Sequence, residues 1–152
     1  MRASASRFLA LAAALACVPT ALAQKSLDFR SAGEVAVLYD APSQRGKKLF
    51  VAPRGMPFEV VVSVEGWLKV RDRAGDMAWI ERKLVSESRS VVATVLAAVR
   101  ERPDESAPTL FSVAPDVTLE LIEAPGAGAA WARVRHRDGT SGFVRSNQVW
   151  GL

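Results

Sequence analysis

One segment of the chain combines a tryptophan with two cations at the spacing of a β-strand. Side chains of equal parity along a strand share one face. Trp67, Lys69 and Arg71 therefore lie on one side, and Leu68 and Val70 lie on the other. An indole beside cationic groups can stack on a sugar or an aromatic ring and pair with carboxylates or phosphates. We therefore predict Trp67, Lys69 and Arg71 as ligand-binding residues.

The same arrangement occurs a second time, with Trp131, Arg133 and Arg135 opposite two small apolar residues. We predict these three residues as ligand-binding too, and we add Tyr39 from the first half of the chain. The alternative is structural: each Trp closes the end of a barrel through strand twist, and the cations form an ordinary solvated face. Strand parity alone leaves both interpretations open.

Catalytic residues are scarce. His136 is the only histidine, and Asp138 and Ser141 lie within the same predicted turn, so one hairpin would supply all three groups of a triad. No segment supplies an oxyanion hole for such a triad, and no histidine cluster could bind zinc. We predict a protein that is not an enzyme and has no metal or cofactor, with a small hydrolase that uses His136 as a remote alternative.

The two tryptophan segments belong to a repeat. Gly66–Ile80 and Trp131–Val144 carry Trp, Val, Arg, Arg and Gly at identical offsets, with the second copy 64 residues after the first. A fixed-period repeat indicates two copies of one structural unit. The segments Ala74–Asp76 and Arg137–Thr140 contain the glycines that tight hairpin turns require. Each copy is therefore predicted to contain a β-hairpin.

Short β-branched runs bounded by Pro, Gly and Asp continue on both sides of the hairpins, and none of the mature chain has helical periodicity. We predict an all-β fold with units at 24–86 and 87–152 that pack on each other, because about 60 residues are marginally stable alone. Trp79 and Phe143 are predicted to be core residues. The predicted strands are Val35–Leu38, Leu49–Ala52, Phe58–Val62, Trp67–Arg73, Met77–Glu81, Val91–Val99, Leu110–Val113 and Leu119–Ile122. Residues 24–33 are left as an ordered arm or a frayed start.

Residues 1–23 have the pattern of a secretory signal peptide. Arg2 and Arg7 precede an apolar run, and Ala21–Ala23 offers small residues for cleavage before Gln24. We therefore predict a periplasmic or secreted protein with no later transmembrane segment. Lipidation at Cys17 is the less favoured alternative. The mature chain would carry eighteen Lys and Arg against sixteen Asp and Glu. This near balance argues only weakly for nucleic-acid binding, and the export signal argues against it.

Both units resemble the bacterial SH3 (SH3b) family. The resemblance is carried by a Pro-terminated opening strand, a Gly-Trp pair, a following Val-Arg and a closing aromatic-aliphatic pair, in this order and in both copies. These residues are Leu38 to Ser43, Gly66-Trp67, Val70-Arg71, Gly75 and Trp79-Ile80, then Val99-Arg100, Pro103, Trp131, Val134-Arg135, Asp138-Gly139 and Gly142-Phe143-Val144. Tyr39, Ala78 and Phe143 depart from the family's usual Arg, Gly and Trp.

The resemblance implies two tandem SH3-like β-barrels and a non-enzymatic binding module of the cell envelope. The implied ligand is peptidoglycan or its peptide stems, and the alternative partner is another envelope protein. Arg145 and Gln148 occupy the places of the Pro and Tyr that help eukaryotic SH3 domains bind Pro-rich peptides. Binding to polyproline segments is therefore not expected.

Overall fold

The computed structural model describes residues 27–152. The predicted signal peptide, its cleavage site and Cys17 lie outside the described residues. Within 27–152, no helix is both long and apolar enough to cross a membrane. The described chain forms two seven-stranded antiparallel sheets that follow one another in sequence, which confirms the all-β prediction of two tandem barrels.

The first sheet curls around its own core, and we call its seven strands the first unit. They are β1 (Asp28–Ala32), β2 (Ala36–Tyr39), β3 (Lys48–Ala52), β4 (Pro57–Val64), β5 (Trp67–Arg71), β6 (Met77–Glu81) and β7 (Val85–Ser86). Their order in the sheet is β3-β2-β6-β5-β4-β1-β7. A 3₁₀ turn at Arg82–Leu84 separates β6 from β7.

We call the seven strands of the second sheet the second unit. They are β8 (Ser90–Ala93), β9 (Ala97–Arg100), β10 (Thr109–Val113), β11 (Thr118–Glu123), β12 (Trp131–Arg135), β13 (Ser141–Arg145) and β14 (Val149–Trp150). The second sheet repeats the topology of the first with the order β10-β9-β13-β12-β11-β8-β14, and its 3₁₀ turn lies at Ser146–Gln148. The identical order shows that the sequence repeat is a structural repeat.

Each unit buries its own apolar core. The first core includes Leu38, Phe58 and Ile80, each at most 2% exposed. The second is built largely from valines and alanines, with Leu119 as its largest fully buried side chain. Side chains of alternate parity on β5 and β12 point into these cores, because successive strand residues face opposite sides of a sheet. The tryptophans at the start of both strands therefore face outward.

The prediction that Trp79 and Phe143 are core residues was wrong. Both are half-buried and belong to neither core. Their strand neighbours Ala78, Ile80 and Val144 are fully buried instead. A barrel of about 60 residues has little interior volume, and the smaller residues of opposite parity fill it. The large aromatic rings are left on the outer face.

The predicted single strand Val91–Val99 was also wrong. The chain bends at Thr94–Leu96, so that β8 pairs with β11 and β14 while β9 pairs with β10 and β13. Thr94 holds the bend, because its N–H and its hydroxyl both donate to the carbonyl oxygen of Gln148, at 2.9 Å and 3.0 Å. Leu96 is 70% exposed in this bend. Thr94 is the one polar residue in this otherwise apolar run, and no Gly or Pro marks a corner there.

The two units contact each other. Phe29 of β1 meets Trp150 of β14 edge to face, with ring centroids 5.1 Å apart. The backbone N–H of Ser90 donates to the buried hydroxyl oxygen of Ser31 at 2.8 Å. A Cβ at Gly151 would lie 3.2 Å from the Cβ of Pro57, so glycine permits this close approach. Residues 27–33, whose form was undecided from sequence, thus include a strand that contributes to the interface.

Candidate binding surfaces of the two units

The outer face of the first unit is built around two tryptophans. Trp67 packs edge to face against Tyr39, with centroids 5.6 Å apart and planes at 85°. Lys69 lies opposite Trp79 in the β5–β6 register, and its Nζ is 5.9 Å from the centroid of that ring. Tyr39 is only 8% exposed. It therefore supports Trp67 rather than presenting a free ring to a ligand.

Arg71 has a partner within its own unit. Its Nε donates to Glu59 Oε2 at 3.0 Å, its Nη2 also contacts that oxygen, and the two residues face each other across β4 and β5. The carboxylate of Glu59 neutralises the charge of Arg71, which weakens the attraction of Arg71 for an external anion. Arg71 thus stabilises the sheet, although its parity is that of Trp67 and Lys69.

Glu81 brings a negative charge to the same face of the first unit. Its two carboxylate oxygens accept hydrogen bonds from Lys83 Nζ and Gln44 Nε2, each at 2.9 Å. These bonds, with that of Lys83 the larger contribution, lower the pKa of Glu81 below its ordinary value. At neutral pH the carboxylate of Glu81 is therefore ionised, and it lies on the same face of the first unit as the aromatic rings.

The second unit forms a groove of about 280 Å³ beside Trp131. Trp131 and Phe143 provide aromatic surface, and Pro103 contributes from the loop between β9 and β10. Arg133 and Glu123 place opposite charges along the groove, and they face each other in the β11–β12 register. Neither charge forms an ion pair within residues 27–152. We name this site the Trp131 groove.

The far wall of the Trp131 groove is the segment 124–130 between β11 and β12. Its place in the first unit is taken by residues 65–66 alone, which are too few to build such a wall. Two hydrogen bonds from Ser146 anchor the segment to the 3₁₀ turn. The Ser146 N–H donates to the carbonyl oxygen of Ala130 at 2.9 Å, and the Ser146 hydroxyl donates to the carbonyl oxygen of Ala129 at 3.2 Å. The wall is therefore held by specific hydrogen bonds.

An ion-pair cluster borders the groove. Arg145 stacks on Trp131, with its guanidinium carbon 4.6 Å from the ring centroid. Glu105 lies between Arg145 and Arg100 and forms ion pairs with both. Arg145 takes the position that Glu81 holds in the first unit, so the repeat reverses the sign of this charge. Arginine stacked on tryptophan positions the indole by cation–π attraction.

The structure thus separates the seven predicted ligand-binding residues. In the first unit it brings together Tyr39, Trp67 and Lys69, whereas Arg71 is occupied by Glu59. In the second unit Trp131 and Arg133 share the groove, whereas Arg135 lies near Glu120 at 3.7 Å and faces a different cleft. Sequence reasoning did not find Glu123, Pro103 or Phe143 as groove residues. The one available sign was the interval from Leu119 to Trp131, which is three residues longer than the matching interval from Phe58 to Trp67, since an insertion in a repeat marks a variable loop.

The candidate catalytic residues do not form a triad. His136 Nδ1 lies 3.0 Å from Asp138 Oδ2 within the β12–β13 turn. The Thr140 N–H and the His136 side chain both donate to this carboxylate. These hydrogen bonds lower the pKa of Asp138, and that from Thr140 makes the larger contribution. Ser141 makes no hydrogen bond to His136 within the described chain. The Asp138 contacts are those of an ordinary turn.

Comparison with known proteins identifies the fold family. The family described as "Bacterial SH3 domain" matches residues 32–87 and 93–151, about three quarters of the chain. The chain belongs to the bacterial SH3 domain family. These domains are typically non-catalytic binding modules. Each matched range covers most of one sheet, without the greater part of β1 or of β8, and the two matches confirm the tandem arrangement predicted from the repeat.

Solved structures similar to the chain include NlpC2 and NlpC1 from Trichomonas vaginalis, each 9% identical with a TM-score of 0.38. An NlpC/P60 family protein from Bacillus cereus ATCC 10987 is 16% identical, also with a TM-score of 0.38. The alignments cover 82%, 84% and 81% of this chain but only 48%, 46% and 56% of those proteins. The bacterial SH3 chain therefore spans about half the length of each. No curated protein was found to match the sequence.

Proposed function

We propose that this bacterial SH3 protein is a non-enzymatic binding module of the cell envelope, and that its Trp131 groove recognises peptidoglycan or its peptide stems. The observation that carries the proposal is the groove itself, in which half-exposed aromatic rings meet one unpaired cation and one unpaired carboxylate. Family membership and the export signal predicted from residues 1–23 support a location in the envelope.

The chemistry of the groove suits a short peptide with both charges. Arg133 can donate to a ligand carboxylate, and Glu123 can accept from a ligand amine. The walls consist largely of proline, alanine and glycine, which leave room for small side chains. Trp131 and Phe143 can also stack against the apolar face of a sugar. Arg133 and Glu123 are proposed to fix the orientation of the ligand, and the rings are proposed to supply most of the buried area.

Absence of catalysis is part of the proposal. His136 and Asp138 lie in a turn on the opposite end of β12 from Trp131. A His136→Ala variant should bind peptidoglycan as the wild-type protein does. Loss of a hydrolytic activity in that variant would favour the hydrolase alternative.

Co-sedimentation of the purified protein with isolated peptidoglycan tests the proposal. Arg133→Gln and Glu123→Gln should each weaken binding about tenfold, as expected for a lost charge-assisted hydrogen bond. Lys69→Gln is the matched control, because Lys69 occupies the equivalent position in the first unit, and its affinity should stay within about twofold. All three variants replace surface charges and should fold normally.

Two outcomes would contradict the proposal. If wild type stays in the supernatant at physiological salt, peptidoglycan recognition is wrong, and crosslinking in cells should then look for an envelope protein partner. If wild type pellets but Lys69→Gln is as defective as Arg133→Gln, the binding is distributed charge attraction and does not belong to the Trp131 groove.

A further inference from the structure

A second cleft lies between the two units and shares no lining residue with the Trp131 groove. Its volume is about 410 Å³. The first unit contributes the chain around Gly33 and the turn that holds Arg54 and Gly55, and the second contributes β11 and the turn after β12. The serine-rich linker Ser86–Ser90 lines the remaining side. We name this site the inter-unit cleft.

Positive charge converges on the inter-unit cleft from both units. Arg54 comes from the first unit, and Arg135 and Arg137 come from the second. Glu120 is the one carboxylate that lines the cleft, and it lies 3.7 Å from Arg135. Arg54 and Arg137 form no ion pair within residues 27–152. Two exposed guanidiniums thus share a concave site without a carboxylate to neutralise them.

The rest of the lining is rich in hydroxyl groups. Ser31, Ser86, Ser88, Ser90 and Thr118 all border the cleft. Ser31 is fully buried and uses its oxygen to accept the Ser90 N–H, so its own hydroxyl proton remains a donor. Guanidinium forks surrounded by hydroxyl donors match the oxygens of a tetrahedral anion, which accepts several hydrogen bonds at once. His136 also faces the cleft, but its Nδ1 is engaged with Asp138.

We propose that the inter-unit cleft binds a phosphate group, with Arg54 and Arg137 as its principal ligands. Because the two arginines belong to different units, a bound phosphate would bridge the units and oppose their separation. The phosphate group could belong to a free anion, a phosphorylated polyol or a lipid headgroup. The shared chemistry is recognition of its oxygens by arginine and hydroxyl donors. This proposal does not depend on peptidoglycan binding, because the two sites have separate residues.

Calorimetric titration of the purified protein at constant ionic strength tests the proposal. The probes are inorganic phosphate, glycerol 3-phosphate, and phosphatidylglycerol vesicles with phosphatidylcholine vesicles as a reference. Arg54→Gln and Arg137→Gln should each weaken binding about tenfold or more, since each removes a charge-assisted contact. Arg45→Gln and Arg102→Gln are matched controls, one in each unit, because both side chains are exposed and neither lines the cleft. These controls should retain wild-type affinity.

The arms of the experiment distinguish the sources of phosphate. Tighter binding of glycerol 3-phosphate than of inorganic phosphate supports a phosphorylated polyol. Binding to phosphatidylglycerol vesicles alone, still lost in the Arg54→Gln and Arg137→Gln variants, supports a headgroup. The proposal is overturned if no probe binds, or if the Arg45→Gln and Arg102→Gln controls weaken binding as much as the cleft variants do. Thermal unfolding of each variant confirms that it is folded.

Discussion

Removing the aromatic contact between the units should uncouple them by a measurable amount. Phe29 is 7% exposed and belongs to neither core, yet its ring meets Trp150 edge to face. Truncation of a buried phenylalanine to alanine typically costs about 3–5 kcal/mol. Phe29→Ala should fall near the lower figure, because the interface can partly close over the lost ring. Trp150→Ala should cost about 2 kcal/mol, since that side chain is half-buried.

The double variant separates the contact from the burial of each ring. Aromatic pairs contribute about 0.5–1.5 kcal/mol beyond the area they bury. The Phe29→Ala/Trp150→Ala cycle should therefore show a coupling free energy of about 1 kcal/mol, measured as the free energy of unfolding in urea. A cycle of Phe29→Ala with Phe143→Ala is the control and should be additive, because Phe143 makes no aromatic contact with Phe29 in the described chain.

Two results would refute this reasoning. A Phe29–Trp150 coupling of zero, with both single variants destabilised, would mean that each ring stabilises only its own unit. A single-variant cost of less than about 0.5 kcal/mol for Phe29→Ala would mean that Phe29 is exposed in solution and that the interface does not form, since only surface substitutions are so mild.

Three further predictions concern single positions. Gly142→Ala should destabilise the second unit by about 1–3 kcal/mol in thermal unfolding, because the new Cβ would lie 2.7 Å from the carbonyl oxygen of Arg100. The control is Gly126→Ala, whose new Cβ would meet nothing within 4 Å and should change the stability little. Equal effects of the two substitutions would contradict the packing argument. Ser31→Ala should cost about 1–3 kcal/mol in urea unfolding by leaving the Ser90 N–H without its acceptor, and an unchanged midpoint would show that water replaces the hydroxyl. The pKa of folded Asp138 is lowered from its ordinary value of 3.8, so its contribution to stability is present above that pH and is lost as the pH falls below it. Asp138→Asn should therefore make the urea midpoint less dependent on pH below about pH 4, and an unchanged acid profile would count against the turn hydrogen bonds.

Much of the fold could be predicted from the sequence because its signals are local. The hairpin turns at Gly75 and Gly139 need positive φ, which glycine adopts without strain, and both have it. Strand parity correctly put Leu68 and Val70 in the core and Trp67 outside. The same parity argument would have moved Trp79 and Phe143 out of the core, since each alternates with a smaller buried neighbour. Hydrophobicity alone gave the wrong result at these two positions.

The ligand-binding prediction shows a different limit. Parity correctly grouped Trp131 with Arg133, but it could not foresee that Glu59 would occupy Arg71, because that contact depends on the register between β4 and β5. Arg135 also lies apart from Trp131 and Arg133, with which the parity argument had grouped it. It lies at the far end of β12 and faces the inter-unit cleft. Partners on neighbouring strands decide which cations remain available to a ligand.

The sequence by itself determined the repeat, the all-β fold, the family and the outward direction of Trp67 and Trp131, because these follow from spacing, turn residues and alternation within one segment. Tertiary structure alone decided which cations are free, where the chain bends between Thr94 and Leu96, and that the Trp131 groove and the inter-unit cleft form. Those features arise where segments distant in sequence meet, as Arg54 and Arg137 do across the inter-unit cleft. Local patterns carry no information about contacts between segments that are distant in sequence, since register and packing between strands depend on the whole barrel.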